Sequence, residues 1–187
     1  GPIFIMNFIV WKTLGKEELM IPSLLILILV PACLSLVFRR SYLKGKRHFS
    51  SLAEDDRTSG KPFDFTMLDA CLTDSFEAIV KVGLYIIFFS VLIALGRGIS
   101  GEYPVIAAFM PTLEMTNGIL MIHRSVSDIT VSYPLILGLT SFGGFCAAAQ
   151  TQCMLKDTGI PLLPYIMQKL TAAAAASLLG FVYMRIF

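Results

Sequence analysis

Long apolar runs separated by short polar stretches dominate the chain. Leu19 to Phe38 reads LMIPSLLILILVPACLSLVF, 20 residues without a charge. A helix rises about 1.5 Å per residue, so this run covers the roughly 30 Å hydrocarbon core of a bilayer. It predicts a transmembrane helix with Pro22 in its first turn and a kink at Pro31. From Asp64 to Val80 the residues Phe65, Leu68, Leu72, Phe76 and Ile79 recur at helical spacing, with Asp69, Thr73, Asp74 and Glu77 on another face. That pattern predicts an amphipathic helix over residues 64–80 whose acidic face suits packing on protein better than on lipid. It leads into a span at about Ile79 to Leu95, where Lys81 can snorkel to the interface. A turn-rich connector, GRGISGEYP, follows. Three more apolar segments complete the chain, at about Val105–Ile122, Val131–Leu155 and Leu162–Met184. The expected fold is an all-α membrane protein, a polytopic bundle of about five hydrophobic segments, two of them broken or re-entrant.

Those two segments carry the candidate chemistry. Val105–Ile122 is apolar at both ends but holds Pro111, Glu114, Thr116, Asn117 and Gly118 in its middle. Val131–Leu155 contains LTSFGGFCAAAQTQC, with Gly143 and Gly144 side by side and then Gln150 and Gln152. An unsatisfied backbone group in lipid costs several kcal/mol, so a broken helix survives where it is buried in protein or lines a wet cavity. Paired Gly/Pro-interrupted segments are the sequence mark of a solute site in secondary transporters. On this reading the double glycine lets main chain approach a ligand, residues from Phe145 onward form a second half-helix aimed at the solute, and Gln150 offers an uncharged donor and acceptor. The competing reading has the glycines serve tight helix packing. Glu114 is a carboxylate at membrane depth and so a functional candidate. It either couples a proton, pairs with Lys169 or a neighbouring helix end, or caps its own broken helix, with the break at Gly118. Lys169 lies seven residues into the last segment and either snorkels or faces the bundle.

Composition agrees with a membrane protein: of 187 residues 56% are hydrophobic and 15% charged, against about 25% charged in soluble domains. The net charge of +2 is too small to suggest a nucleic-acid partner. The basic residues cluster in the loop 39–61 (Arg39, Arg40, Lys44, Lys46, Arg47, Arg57, Lys61), which places that loop on the cytoplasmic side. If every later segment spans, the His123–Asp128 loop and Arg185 are cytoplasmic too; re-entrant hairpins would change that count. Cys33, Cys71, Cys146 and Cys153 form no C-x-x-C pair and His48 and His123 stand apart, so no metal site is expected and the cysteines read as small buried hydrophobes. Ala172, Ala176 and Gly180 recur at i, i+4 and i+8, the spacing that lets helices approach closely in lipid. That face is expected to meet a partner half-domain or a second copy. The opening GPIFIMNFIVW lacks a charged region ahead of a cleavage site, so it is no signal peptide and reads as a fragment that begins in the middle of an ordered membrane domain.

PTLEMTNGI, then SFGGFCAAAQTQ, then IPLLPYIMQKL resemble the C-terminal part of the sporulation integral membrane protein family YlbJ (SpoVV), among the nucleoside-recognition (Gate) domain proteins. The resemblance covers essentially the whole chain as one membrane domain, about the C-terminal half of the family's length. It implies a fold related to half of a concentrative nucleoside transporter. The implied task is transport of dipicolinate, a small aromatic dicarboxylate, across the mother-cell-derived outer forespore membrane of a spore-forming bacterium. The motif positions it carries over as substrate-binding are Glu114, Thr116, Asn117, Gly118, Ser141, Gly143, Gly144 and Gln150. Lys169 stands where the family pattern has an arginine, keeping the charge and losing bidentate carboxylate recognition. CAAA before Gln150 also departs from the pattern, which has a histidine there. No cofactor is expected beyond a coupling proton or sodium ion, neither of which the residues select. Two alternatives stand beside the anion carrier: a non-transporting scaffold of the sporulation machinery and a nucleoside-type transporter. An enzyme is disfavoured, because no H-E-x-x-H motif, Ser/His pair in one apolar segment or carboxylate dyad is present.

Overall fold

The computed structural model describes residues 2–44, 65–98, 101, 103–155 and 162–187. Most of the basic loop 39–61 lies outside the described residues. An α-helical turn (α1, Pro2–Phe4) passes directly into a π-helix over Ile5–Leu14. Gly15 ends it in the left-handed conformation, φ 63°, and donates its N–H to the Val10 carbonyl at 2.8 Å. Ten residues at π pitch are uncommon, since π-helix usually occurs as a single turn. After a 3-10 turn at Glu17–Leu19 come α2 (Met20–Lys44) and α3 (Phe65–Arg97). Two short helices, α4 (Pro104–Phe109) and α5 (Met115–Ser125), flank a 3-10 turn at Met110–Thr112. Then follow α6 (Ile129–Phe142), α7 (Gly144–Leu155) and α8 (Leu162–Ile186).

The described residues contain no strand, and four stretches are long and apolar enough to cross a bilayer: Glu17–Arg39, Phe65–Arg97, Ile129–Leu155 and Leu162–Ile186. The chain is an all-α, multi-pass membrane protein. The third stretch is the joined pair α6 and α7, with the double glycine at its middle. Val105–Ile122 does not cross as one helix, so the expected five segments become four spans and one shorter element.

That shorter element is a re-entrant hairpin. A Cβ on Gly96, near the end of α3, would lie 3.2 Å from Met110 Sδ. Six residues earlier in α3, Ser90 Oγ accepts from Asn117 Nδ2 at 3.1 Å. The chain therefore descends from the end of α3 to a tip at Glu114, and α5 returns toward the side it came from. The two legs touch at Gly118, where a Cβ would collide with the Pro111 carbonyl. The helix break thus falls at Met110–Glu114, ahead of Gly118, and Gly118 is the contact point between legs.

α6 is the central helix. It runs parallel to α2, because Ser23 meets Tyr133 at one level and Pro31 shares a cavity with Ser141 at another. It packs antiparallel on α8, where a Cβ on Gly180 would lie 2.9 Å from Leu137 Cδ1 and one on Gly138 would lie 3.1 Å from Ser177 Cβ. Ala172, Ala176 and Gly180 are all buried. The small-residue face expected to meet another half-domain or copy is already filled by α6, so an outside partner would have to use a different surface. The parallel α2/α6 pair also corrects the topology. Asp128 and Arg185 lie at the Lys16 end of the bundle, opposite Arg39, because the hairpin enters and leaves on one side. With the basic loop cytoplasmic, the His123–Asp128 turn and Arg185 face the other way.

The core sits between the π-helix, α5 and α6, with Ile9, Ile119, Tyr133, Ile136 and Leu137 fully buried. Helix α3 departs from expectation in two ways. Residues 65–80 are the first turns of one continuous 33-residue helix, and their acidic side does not pack on protein, since Phe65 to Glu77 is exposed all round. At about 50 Å, α3 is longer than a bilayer core is thick. Cys33 and Cys71 are exposed rather than buried, on outward faces of α2 and α3; Cys146 is buried and Cys153 partly so.

Candidate functional site

The two interruptions meet. α6 ends at Gly143 with φ 88°, and Gly144 follows with φ 82°, a backbone conformation that only glycine adopts without strain. The break offsets α7 without turning it back: Thr151 meets Tyr165 near the start of α8 at 3.2 Å and Cys153 shares a cavity with Lys81 and Tyr85 of α3, while the Cys146 N–H of this second half-helix donates to the Leu113 carbonyl at 2.9 Å. Gly144 sits so close to the hairpin tip that a Cβ there would lie 3.1 Å from Thr112 O, 3.2 Å from Met115 N and 3.3 Å from Leu113 O. Main chain of one break is pressed on main chain of the other. Phe145, 5.4 Å from both Phe109 and Phe142 between ring centroids, closes one side of the crossing.

Glu114 caps α5. One carboxylate oxygen accepts from Thr116 N at 2.9 Å and from Thr116 Oγ1; the other accepts from Asn117 N and Asn117 Nδ2, both at 2.9 Å. The second proton of the Asn117 amide goes to Ser90 Oγ. Glu114 is 6% exposed, and its burial is made tolerable by four donors and the positive end of α5. Of the roles the sequence left open, the geometry matches the cap. Thr116 and Asn117 serve the same cap.

The start of α5 is thus capped from within the chain by Glu114, and at the start of α7 the Cys146 N–H is taken by the Leu113 carbonyl. Gln150 donates Nε2 to Cys146 Sγ at 3.3 Å, one turn along α7, and Gln152 is exposed.

Ser141 and Lys169 are the two candidates brought together at open space. Both line a cavity of about 300 Å³, with Thr140, Met115, Phe4, Ile5 and the Leu27–Pro31 face of α2. Ser141 is 8% exposed, and its Oγ has no hydrogen-bond partner among the described residues. A buried hydroxyl without a partner is costly, so its orphan state marks a place for one. Lys169 places Nζ 5.9 Å from the Tyr165 ring centroid, and no carboxylate pairs with it among the described residues. A serine hydroxyl that turns into this space and an ammonium beside it can together hold a carboxylate. Glu114, Thr116, Asn117, Gly118, Gly143, Gly144 and Gln150 do not line this cavity; they build the crossing beside it.

Met115, Thr140, Phe4 and Ile5 were not singled out by sequence reasoning, and no spacing signal points to them. The Ser23–Tyr133 pair was missed as well: Ser23 Oγ donates to Leu19 O at 2.5 Å, which leaves the Tyr133 hydroxyl to donate to Ser23 Oγ at 3.1 Å. Comparison with protein-family models, curated proteins and solved structures finds no match for this chain.

Proposed function

We propose that the chain is a transport domain for a small anionic solute, held between the Ser141 hydroxyl and the Lys169 ammonium. The observation that carries this reading is that Ser141, whose buried Oγ has no partner among the described residues, and Lys169, which no carboxylate pairs with among them, line one cavity of about 300 Å³. That volume is at the lower end of small-molecule sites. The cavity adjoins a crossing of two broken membrane segments, the setting in which carriers place their solutes. Dipicolinate, which the sequence resemblance implies, is the leading substrate, and the forespore-surrounding membrane the proposed location. Its two carboxylates offer one group to Lys169 and Ser141. Proton coupling through Glu114 draws no support from a carboxylate already engaged by four donors.

The test is uptake of labelled dipicolinate into liposomes carrying equal amounts of folded wild type, Lys169→Met, Ser141→Ala and Gln150→Ala. The expected result is uptake by wild type that falls at least tenfold in Lys169→Met and several-fold in Ser141→Ala, with Gln150→Ala close to wild type. Uptake lost in Gln150→Ala but kept in Lys169→Met moves the site to α7. A wild type that takes up neither dipicolinate nor a nucleoside refutes transport and favours the scaffold.

A further inference from the structure

A second polar cavity lies at the other end of the same three elements. It has a volume of about 440 Å³ and is lined by Leu14, Lys16, His123, Ser127, Asp128, Ile129 and Ser132. The π-helix contributes Ile5 to the first cavity and Leu14 to the second, α5 contributes Met115 and His123, and α6 contributes Ser141 and Ser132. Along α6 the nine residues from Ser132 to Ser141 separate the two by about 13 Å, under half of a hydrocarbon core. Halfway along each element stands an isoleucine, Ile9 in the π-helix, Ile119 in α5 and Ile136 in α6. All three are 0% exposed and belong to one buried apolar cluster.

We propose that the two cavities are the ends of one solute path, and that Ile9, Ile119 and Ile136 form an apolar gate that closes it toward the Lys16 end. The cavity at Lys16 and His123 is then the outer mouth, which takes the same small anion. The Asp128 carboxylate lines the same cavity, engaged by Thr130 N at 2.9 Å and Oγ1 at 2.8 Å, and the charges of Lys16 in the lining and of nearby Arg185 offset its own. A dry constriction excludes a hydrated anion because dehydration is costly, and side chains that withdraw slightly let it wet and conduct. The π-helix supplies one wall of the gate, and its uncommon pitch is the kind of local irregularity that accompanies function. This inference deepens the transport reading and rests on it for the identity of the solute, but the path itself can be tested with a different ion.

Liposomes loaded with iodide and carrying wild type, Ile136→Ala, Ile119→Ala, Ile9→Ala or Leu137→Ala report the gate as iodide efflux. Leu137 is as buried as the isoleucines and belongs to the same cluster, but its Cδ1 meets Gly180 of α8 and it lines neither cavity, so it controls for loosening of the core. Wild type and Leu137→Ala should hold iodide, and the isoleucine variants should release it at least tenfold faster. With three isoleucine variants, loss of one to misfolding leaves the comparison intact. Equal efflux from Leu137→Ala, or none from any folded isoleucine variant, overturns the gate. Dipicolinate uptake by wild type with tight isoleucine variants sinks the gate alone. Leaky isoleucine variants with no uptake by wild type sink the dipicolinate reading and keep the path.

Discussion

Glu114→Gln tests whether the deepest carboxylate holds the hairpin tip or the solute. In the wild type each carboxylate oxygen receives two donors, one from main chain and one from a side chain. Glutamine turns one oxygen into an NH₂ group, which then faces two donors. The side-chain donor, Thr116 hydroxyl or Asn117 amide, can rotate away; the backbone N–H cannot, and stranding it costs about 1–3 kcal/mol. Loss of the negative charge at the start of α5 removes roughly another 0.3–2 kcal/mol. The retained oxygen makes neutral instead of charge-assisted bonds, which weakens both. The sum is about 2–5 kcal/mol, with Thr116→Val, which deletes one side-chain donor, nearer 1 kcal/mol. For a chain of this size 1 kcal/mol shifts the melting temperature by about 2–4 °C. Thermal unfolding of the purified protein in detergent should therefore show Glu114→Gln melting roughly 5–15 °C below wild type. A shift under about 2 °C would refute the cap. If the same variant also lost dipicolinate uptake without that shift, Glu114 would be a solute ligand.

Three further outcomes follow from the geometry. Gly144→Ala should cost more stability than Gly143→Ala: both have positive φ, worth about 1–2 kcal/mol, but Gly144 alone is pressed on three main-chain atoms of the hairpin tip, and equal melting temperatures would show the approach to be slack. Tyr133→Phe should cost about 1 kcal/mol because Ser23 keeps its bond to Leu19, whereas Ser23→Ala strands a buried phenol and should cost more; the reverse order in detergent melts would overturn the donor assignment. The Thr130 hydroxyl and then its N–H hold the Asp128 carboxyl below its ordinary value of 3.8, so this cap stabilises the start of α6 above that pH and is lost as pH falls through the lower folded value. A ¹³C titration of the Asp128 carboxyl should show a midpoint below 3.8, and one at or above it would contradict the cap.

Apolar runs and helix breakers carried most of the fold. The span from Leu19, the double-glycine break and the tight face of α8 were legible because each depends on local residue type: length in lipid, positive φ, absence of side chain. The site was less legible. Ser141 and Lys169 are 28 residues apart, and nothing in their spacing says that α8 folds antiparallel onto α6 and returns the lysine to the end of that helix. The half-helix N-termini looked open because their internal partners, the Glu114 carboxylate and the Leu113 carbonyl, become partners only when the hairpin folds back. Gly118 looked like the break because glycine disfavours helix, but it is needed for space, and the interruption comes from Pro111 and the 3-10 turn before it. The amphipathic pattern from Phe65 was real but did not find a protein surface within this chain. The π pitch of residues 5–14 has no sequence signature.

The bond from Cys146 N–H to the Leu113 carbonyl joins main chain to main chain. It therefore asks nothing of the side chains at its two ends, and Leu113 and Cys146 are free to drift over evolutionary time so long as neither becomes a residue that lacks the group used. The constraint falls instead on Gly118 and Gly144, which contribute no chemistry and cannot be exchanged for anything larger. Across distant relatives of this chain, identity at the crossing should survive in the residues with the least to offer a ligand, and a ranking of positions by invariance would point beside the solute cavity rather than into it.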